Sequence, residues 1–354
     1  MSQALQQTDK RATIQDIARL TGVSVATVSG AFSGKRRMSA QTREMVLATA
    51  RQLGFEPNPH AQRLRNGGCA NTIGLLSDLD LGVATMTHSA IYRRLDERGF
   101  HIDDHLMPLY VQQVETRQTT VLRQMCHQNP QAILFAKIGI EPRALETLEQ
   151  YVEGGGVLGC WTATPTGPDS QRLRADQVLL NNLEETYLQT QHLIELGHRD
   201  IGFFSHGLGV HLSSRFQGFK RALAEADLPL REEWMWAEFG YEDAGIEHAK
   251  KFMALKERPT GVCIVNDNAA AAFIHAIMRG GLQVPKDVSV IGCDDTAAAR
   301  AALVPLTTMH RPIDELSRTL VDLLCQRLDG SLQGPPVIRE LSSKLIVRSS
   351  TASP

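Results

Sequence analysis

The 354-residue chain predicts an α/β protein with a small all-α head at its N-terminus and a larger core of parallel sheets. Three observations carry this. Helical spacing punctuated by turn residues fills the stretch from Thr13 to Gly67. Beyond Thr72, short apolar runs alternate with amphipathic stretches. Charge is also divided. Residues 1–68 hold ten Lys/Arg against four Asp/Glu, a net of +6; the whole chain is −2, so the remainder carries −8. Strands separated by helices require crossovers and so form parallel sheets covered on both faces. A basic head on an acidic body is the footprint of phosphate contact at one end, and a near-neutral total does not argue against nucleic acid.

The head reads as three helices. Thr13 followed three residues later by Asp16 makes a capping box, and Ile14, Ile17 and Ala18 share one face. Gly22 supplies a positive φ where the first helix stops. Ser24 caps a second helix with Val28, Ala31 and Phe32 on its apolar side. Ser39 opens a third, with Val46, Ala50 and Leu53 at core spacing and Gly54 as its stop. Two short helices joined by a glycine turn have the layout of a DNA-reading helix-turn-helix. In the segment that follows, Asn58, Pro59 and Gly67 bracket about two turns of helix, too few to be stable alone in water. One apolar Leu64 among His60, Arg63 and Arg65 suits a minor-groove wedge that forms against DNA. Taken alone, the segment suits a plain linker equally well.

In the core, Ile73–Leu76, Ala132–Ala136, Val157–Cys160, Ile201–Phe204, Gly261–Val265 and Val288–Cys293 read as strands. Val114–Gln128, Glu141–Glu153, Leu183–Leu196, Arg215–Ala226, Asp243–Leu255 and Ile313–Leu328 read as helices. Six scattered cysteines without a C-x-x-C pair fit reduced thiols and neither a metal site nor a disulfide framework. The polar N-terminus and the lack of any membrane-length apolar run lead us to expect a soluble, cytoplasmic protein with no membrane partner. There is no P-loop, G-x-S-x-G elbow or H-E-x-x-H, so no enzyme and no cofactor is expected. A transport-type binding protein is disfavoured by the missing signal segment and the basic head.

These residues resemble the LacI/GalR family of bacterial transcriptional regulators. The resemblance runs through Asp16–Ala18, Gly22–Ser29, Thr42–Arg43, Leu53–Asn58 and Ala61–Arg65. It continues through Ile194–Phe204, Ser213–Leu223, Val265–Ala272, Val284–Thr296, Pro305–Pro312 and Leu345–Thr351, in order along the chain. It implies a helix-turn-helix headpiece over residues 1–57, a hinge helix and linker over 58–71, and a two-lobed, periplasmic-binding-protein-like core over 72–354. It further implies a repressor that binds a pseudo-palindromic operator in double-stranded DNA, its affinity set by a small-molecule effector, a sugar or a nucleobase-like compound, held between the lobes. With no leucine heptads after the core, a homodimer is the expected unit.

The DNA-contacting set expected from this resemblance is Thr13, Ser24, Val25, Ala26, Thr27, Ser29, Lys35, Arg36, Asn58, Ala61 and Leu64. The effector set is Arg215, Asn266 and Asp294, with Trp161 as a fourth member. A guanidinium fork, an amide and a carboxylate together suit a ligand rich in hydroxyl or amide groups. The lesser alternative for Arg215 and Asp294 is a structural ion pair across the cleft, whereas Trp161 equally suits packing beneath a loop. The chain also departs from the family. Gly30 stands where an Arg usually contacts a guanine edge, Asp78–His88 lacks the usual Asn-Pro-aromatic loop, and Asn181 replaces a common Asp. An unusual effector, or lost effector response, is the alternative these departures raise.

Overall fold

The computed structural model describes residues 13–33, 38–53, 55, 71–78, 83–107, 114–136, 142–163, 174–206, 214–238, 240 and 242–354. The chain divides into two compact units, one holding the head helices and the other the sheets, with the principal boundary between Ala70 and Asn71.

The head comprises α1 (Ile14–Thr21), α2 (Val25–Ser33) and α3 (Ala40–Gln52). Each start is capped as its sequence dictates. Thr13 and Asp16 form a reciprocal box, Asp16 N donating to Thr13 Oγ1 at 3.2 Å and Thr13 N to Asp16 Oδ2 at 3.0 Å. Thr27 N donates to Ser24 Oγ at 3.1 Å, and Thr42 N to Ser39 Oγ at 3.0 Å. Gly22 ends α1 with φ 69°. Ile17, Val28, Ala31, Val46 and Ala50 form one buried cluster. Leu53 does not join it: α3 stops at Gln52, Leu53 becomes its C-cap and is 36 % exposed, and Phe55 packs on the cluster instead. Gly54, Lys35, Arg36, Asn58, Ala61 and Leu64, and with them the expected hinge helix, lie outside the described residues.

Among the described residues the core contains two six-stranded sheets. The first has the order β11-β5-β4-β3-β1-β2, all parallel, from β1 (Thr72–Asp78), β2 (His101–Met107), β3 (Ala132–Ala136), β4 (Val157–Ala163), β5 (Asp176–Leu180) and β11 (Ile338–Leu341). The second has the order β12-β10-β9-β8-β6-β7, from β6 (Ile201–His206), β7 (Met235–Glu238), β8 (Gly261–Ile264), β9 (Ser289–Asp294), β10 (Thr307–His310) and β12 (Lys344–Ile346). Among the described strands only β12 runs antiparallel to its neighbour. Helices α4 (Val83–Glu97), α5 (Val114–Gln128) and α6 (Pro142–Glu153) belong to the first lobe. To the second belong α7 (Asn182–Glu195), α8 (Ser214–Glu225), α9 (Glu242–Ala254), α10 (Asp267–Arg279) and the short α11 (Ala297–Ala301). The last long helix, α12 (Ile313–Leu328), returns to the first lobe, burying Leu316, Leu320 and Val321 against Ile73, Leu75 and Leu134.

Among the described residues this topology makes the chain cross between the sheets three times: after β5, after β10 and after β11. Two consequences position the site. Strand ends β8 and β9 are adjacent, so the residues that follow them are neighbours. The three crossings bring together segments about 130 and 30 residues apart in sequence, near Asn181, Arg311 and Ser343. Among the described residues no helix is long and apolar enough to cross a membrane.

Candidate DNA-reading head and ligand site

On the head, the start of α2 is its outward end. Val25 is 46 % exposed, Ala26 is exposed and Thr27 is half-buried. The Ser24 and Thr27 hydroxyls lie 2.8 Å apart, and Ser24 Oγ also receives the Thr27 amide, so both serve the cap of this helix. Thr13 likewise spends its hydroxyl on the α1 box. Ser29 lies on α2, and Gly30 is buried in the same uninterrupted helix. An exposed apolar and small-residue helix start with an uncrowded surface is what a major groove admits.

In the second lobe, Asn266 and Asp294 stand at the ends of the adjacent strands β8 and β9, 4 % and 5 % exposed. Asn266 caps α10: its Oδ1 accepts from Ala269 N at 2.8 Å, which turns Nδ2 away from the helix. That Nδ2 has no hydrogen-bond partner among the described residues. Asp294 adopts φ 114°, a region that side-chain-bearing residues rarely enter. Backbone strain of this kind persists where surrounding structure over-determines it, and it concentrates at functional sites. The Asp294 Oδ1 atom lies 3.3 Å from Arg311 Nη1, within ion-pair reach, yet no described group directs a hydrogen bond at it. Arg215, half-buried on the first turn of α8, donates from Nη1 to Val265 O at 2.8 Å. The next residue, Asp295, is spent differently: it binds Arg348 Nη2 at 2.5 Å and His310 Nδ1 at 2.9 Å. The two consecutive carboxylates therefore diverge, and Asp294 alone faces the interior site.

Around Asp294 lies a buried ionic cluster that sequence reasoning did not select. Glu185, in the first turn of α7, accepts from Arg311 Nε at 3.0 Å on one oxygen and from Arg311 Nη2 at 2.6 Å on the other. Burial alone pushes the Glu185 carboxyl up, but the guanidinia of Arg311 and Arg215 and the Ser343 hydroxyl outweigh it and hold the group below its usual range. For Asp294 burial wins: its carboxyl rises despite Arg311 and Arg215, with Glu185 adding to the rise. Asp267, whose Oδ1 and Oδ2 accept from Thr308 Oγ1 at 2.6 Å and Thr296 N at 2.7 Å, is raised by burial and then by the charge of Asp294. Arg311 stands in the PLTTMHRP motif, and only the three-dimensional meeting of crossings makes it part of the site.

The head and this site are matched by comparison with known proteins. Residues 13–58 fit the description "Bacterial regulatory proteins, lacI family", and residues 190–351 fit "Periplasmic binding protein-like domain". The repressor PurR of Vibrio parahaemolyticus is 30 % identical over 339 residues, covering 95 % of this chain and 98 % of that protein. The chain belongs to the LacI family. PurR of Pasteurella multocida is 29 % identical over 343 residues, 97 % of this chain and 99 % of its own. The fold also superposes on a lac repressor dimer bound to operator and the anti-inducer ONPF, with TM-score 0.69, 24 % identity and coverage of 97 % and 100 %. It superposes as well on a CelR–cellobiose complex, with TM-score 0.66, 24 % identity and coverage of 96 % and 100 %.

As a LacI-family member the chain is a DNA-binding transcriptional repressor with a helix-turn-helix head and an effector-binding type of core. In this LacI-family core Arg215, Asn266 and Asp294 are all in the second lobe. Trp161 belongs to the first: it lies inside β4 rather than just past it, is 9 % exposed, and packs with Val178, Ile313 and Leu320 in that lobe's core. Asn181, which replaces a common Asp, caps α7 through Glu184 N at 3.0 Å and donates from Nδ2 to Glu340 Oε1 at 2.7 Å, a bond an ionised carboxylate does not offer.

Proposed function

We propose that this repressor binds a pseudo-palindromic operator as a cytoplasmic homodimer, and that a small molecule held by Arg215, Asn266 and Asp294 sets its operator affinity. The observation that carries the ligand half is a pair of buried atoms without a hydrogen bond at neighbouring strand ends: a donor at Asn266 Nδ2 and an acceptor at Asp294 Oδ1, the latter facing Arg311 Nη1 at 3.3 Å. Burying a polar atom without its hydrogen bond costs about 1–3 kcal/mol, so both favour a ligand that returns an acceptor to Asn266 and a donor to Asp294. A nucleobase edge does this, as does a sugar diol. The likeness to the PurR repressors puts nucleobases first. In the head, Val25 and Ala26 meet base edges, Thr27, Ser29, Lys35 and Arg36 reach phosphates, and Thr13 and Ser24 belong to the same DNA-contacting set. Asn58, Ala61 and Leu64 form a hinge that enters the minor groove.

The test has two stages. Selection from random duplexes should return a symmetric motif; a single half-site bound by a monomer overturns the operator reading. Titration of that operator is then repeated with hypoxanthine, guanine, adenine and a set of neutral and phosphorylated sugars. At least one base is expected to change affinity by about tenfold or more, a coupling of about 1.4 kcal/mol. Arg215→Ala is expected to abolish that change while leaving ligand-free operator affinity within about threefold. If no compound shifts the wild type, the effector reading fails.

A further inference from the structure

The cluster beneath Asp294 does more than neutralise buried charge. Arg311 lies in the second crossing, between β10 and α12. Its Nη2 donates at 2.6 Å to Asn182 Oδ1, at the first crossing, and its Nε and Nη2 grip Glu185 one turn further along α7. Glu185 Oε1 in turn accepts from Ser343 Oγ at 2.6 Å, and Ser343 lies in the third crossing, between β11 and β12. A second tie, from Asn181 Nδ2 to Glu340 Oε1, joins the first crossing to the end of β11. The remaining nitrogen of Arg311, Nη1, is the one that faces Asp294. Arg311 is 7 % exposed and Glu185 is 1 % exposed, so this pairing works in a weakly screened interior. An Arg–carboxylate fork is also directional, which makes it a geometric constraint as well as a charge.

We propose that Arg311 is the positioning residue of the ligand site and the knot of its hinge: one guanidinium binds the first and second crossings directly, reaches the third through Glu185, and holds the Asp294 carboxylate on its remaining face. The lobes turn relative to each other about those crossings, since among the described residues they are the passages between the two sheets. A ligand donor arriving at Asp294 draws on the same carboxylate that Arg311 faces. Ligand occupancy and hinge geometry are therefore read by a single side chain, the requirement for a ligand to favour one lobe arrangement over another. This inference rests on the reading of Asp294 as a ligand-holding residue. The groups facing Asp294 are Arg311, Arg215, Glu185, Asp267 and Cys293. Of these, Arg311 carries a full positive charge within ion-pair reach, its Nη1 3.3 Å from Asp294 Oδ1.

The experiment uses full-length protein, with Glu185→Gln, Arg311→Gln and the double variant. Each single change strands a buried charge, so the singles should melt well below wild type and the double variant should recover part of that loss. Hydrogen exchange of the ligand-free double variant gives the hinge readout. Exchange at residues 180–184, 309–313 and 340–345 is expected to rise together by about tenfold or more, with β8 and α10 within about twofold of wild type. A rise confined to 309–313, or a uniform rise across the core, overturns the knot. Positioning is read from hypoxanthine binding between pH 5 and 8. Wild-type affinity should strengthen as Asp294 ionises, and in the double variant the midpoint should move up, because losing Arg311, the larger influence on the carboxylate, outweighs losing Glu185 and leaves Arg215 as the guanidinium beside it. A midpoint that stays in place overturns the positioning role, which a merely structural residue would not have. If wild type binds no base or sugar, the ligand reading fails, and the positioning role falls with it. The exchange at the three crossings then decides the knot by itself.

Discussion

His248 packs in the second lobe against the stacked rings of Phe204 and Trp236, its ring centroid 5.2 Å from Phe204 and 6.4 Å from Trp236. Its Nε2 lies 3.0 Å from Ser205 O and therefore carries the proton, while Nδ1 has no partner among the described residues. Burial pushes its pKa down to about 4 from an ordinary 6.5. Between those values the unfolded chain takes up a proton that the folded one refuses. The stability that comes from keeping this ring neutral is whole above pH 6.5 and is lost as the pH falls toward 4, by about 3 kcal/mol in all. Asp267 and Asp294 act in the opposite sense. Their raised pKa values let the folded state bind protons first, so they favour it at low pH and withdraw that support as the pH rises. Comparison with His248→Gln separates the two effects, since the carboxylates are common to both proteins. Urea midpoints at pH 7, 5.5 and 4.5 should fall less steeply on acidification for His248→Gln than for wild type. Parallel profiles would mean that His248 is protonated in the folded protein.

At the scale of elements, two helix pairs in the second lobe meet at glycines. A Cβ at Gly218 on α8 would stand 2.0 Å from Leu183 O of α7, and one at Gly245 on α9 would stand 2.2 Å from Ala269 O of α10. Backbone oxygens in packed helices do not swing aside as a side-chain tip does. Gly218→Ala should therefore cost about 3 kcal/mol or more, at the upper end for overpacking, and a urea midpoint within error of wild type would refute the close approach. The motif SSRFQGFKRAL contains this glycine, but its role depends on a partner helix that the motif does not include. Other elements were hidden from the sequence for related reasons. The strand β2 reads HIDDHLM and sits at a sheet edge, so it lacks the apolar run by which β3 and β9 are read directly. Strand β5 opens with Asp176 and Gln177, polar yet buried, because Arg327 forks onto Asp176 from α12 with both contacts at 2.9 Å. The run of alanines that starts α10 gives no periodicity, although Phe273, Ile274 and Ile277 anchor it. Asn266 and Asp294 were legible because they end strongly apolar strands. Arg311 and Glu185 were not, because only the topology brings the second crossing beside the first turn of α7. The helix caps of the head were fully legible, being local in sequence.

At the scale of the whole molecule, the decisive feature is the separation of charge: +6 in residues 1–68 and −8 in the remainder. A uniformly mixed surface would give weak, salt-insensitive attraction to DNA. A basic head concentrates the counterion release at one end and leaves the acidic core repelled by the same phosphates. Each neutralised phosphate contributes about −0.9 to the slope of log affinity against log salt. A dimer whose two heads each reach several phosphates should therefore show a slope of about −6 or steeper, measured by operator titration between 50 and 200 mM salt. Lys35, Arg36 and Arg37 form the densest basic run in the head. Replacing all three with Gln should flatten the slope by about two for every residue of the run that meets phosphate, because a symmetric dimer loses each contact twice. The ratio of operator to random-duplex affinity should meanwhile stay within about threefold, since phosphate contacts position the protein without reading sequence. A slope unchanged by the triple variant would remove this run from the interface. A collapse of the affinity ratio at constant slope would instead move it to base reading, taking over the contact that Gly30 does not make.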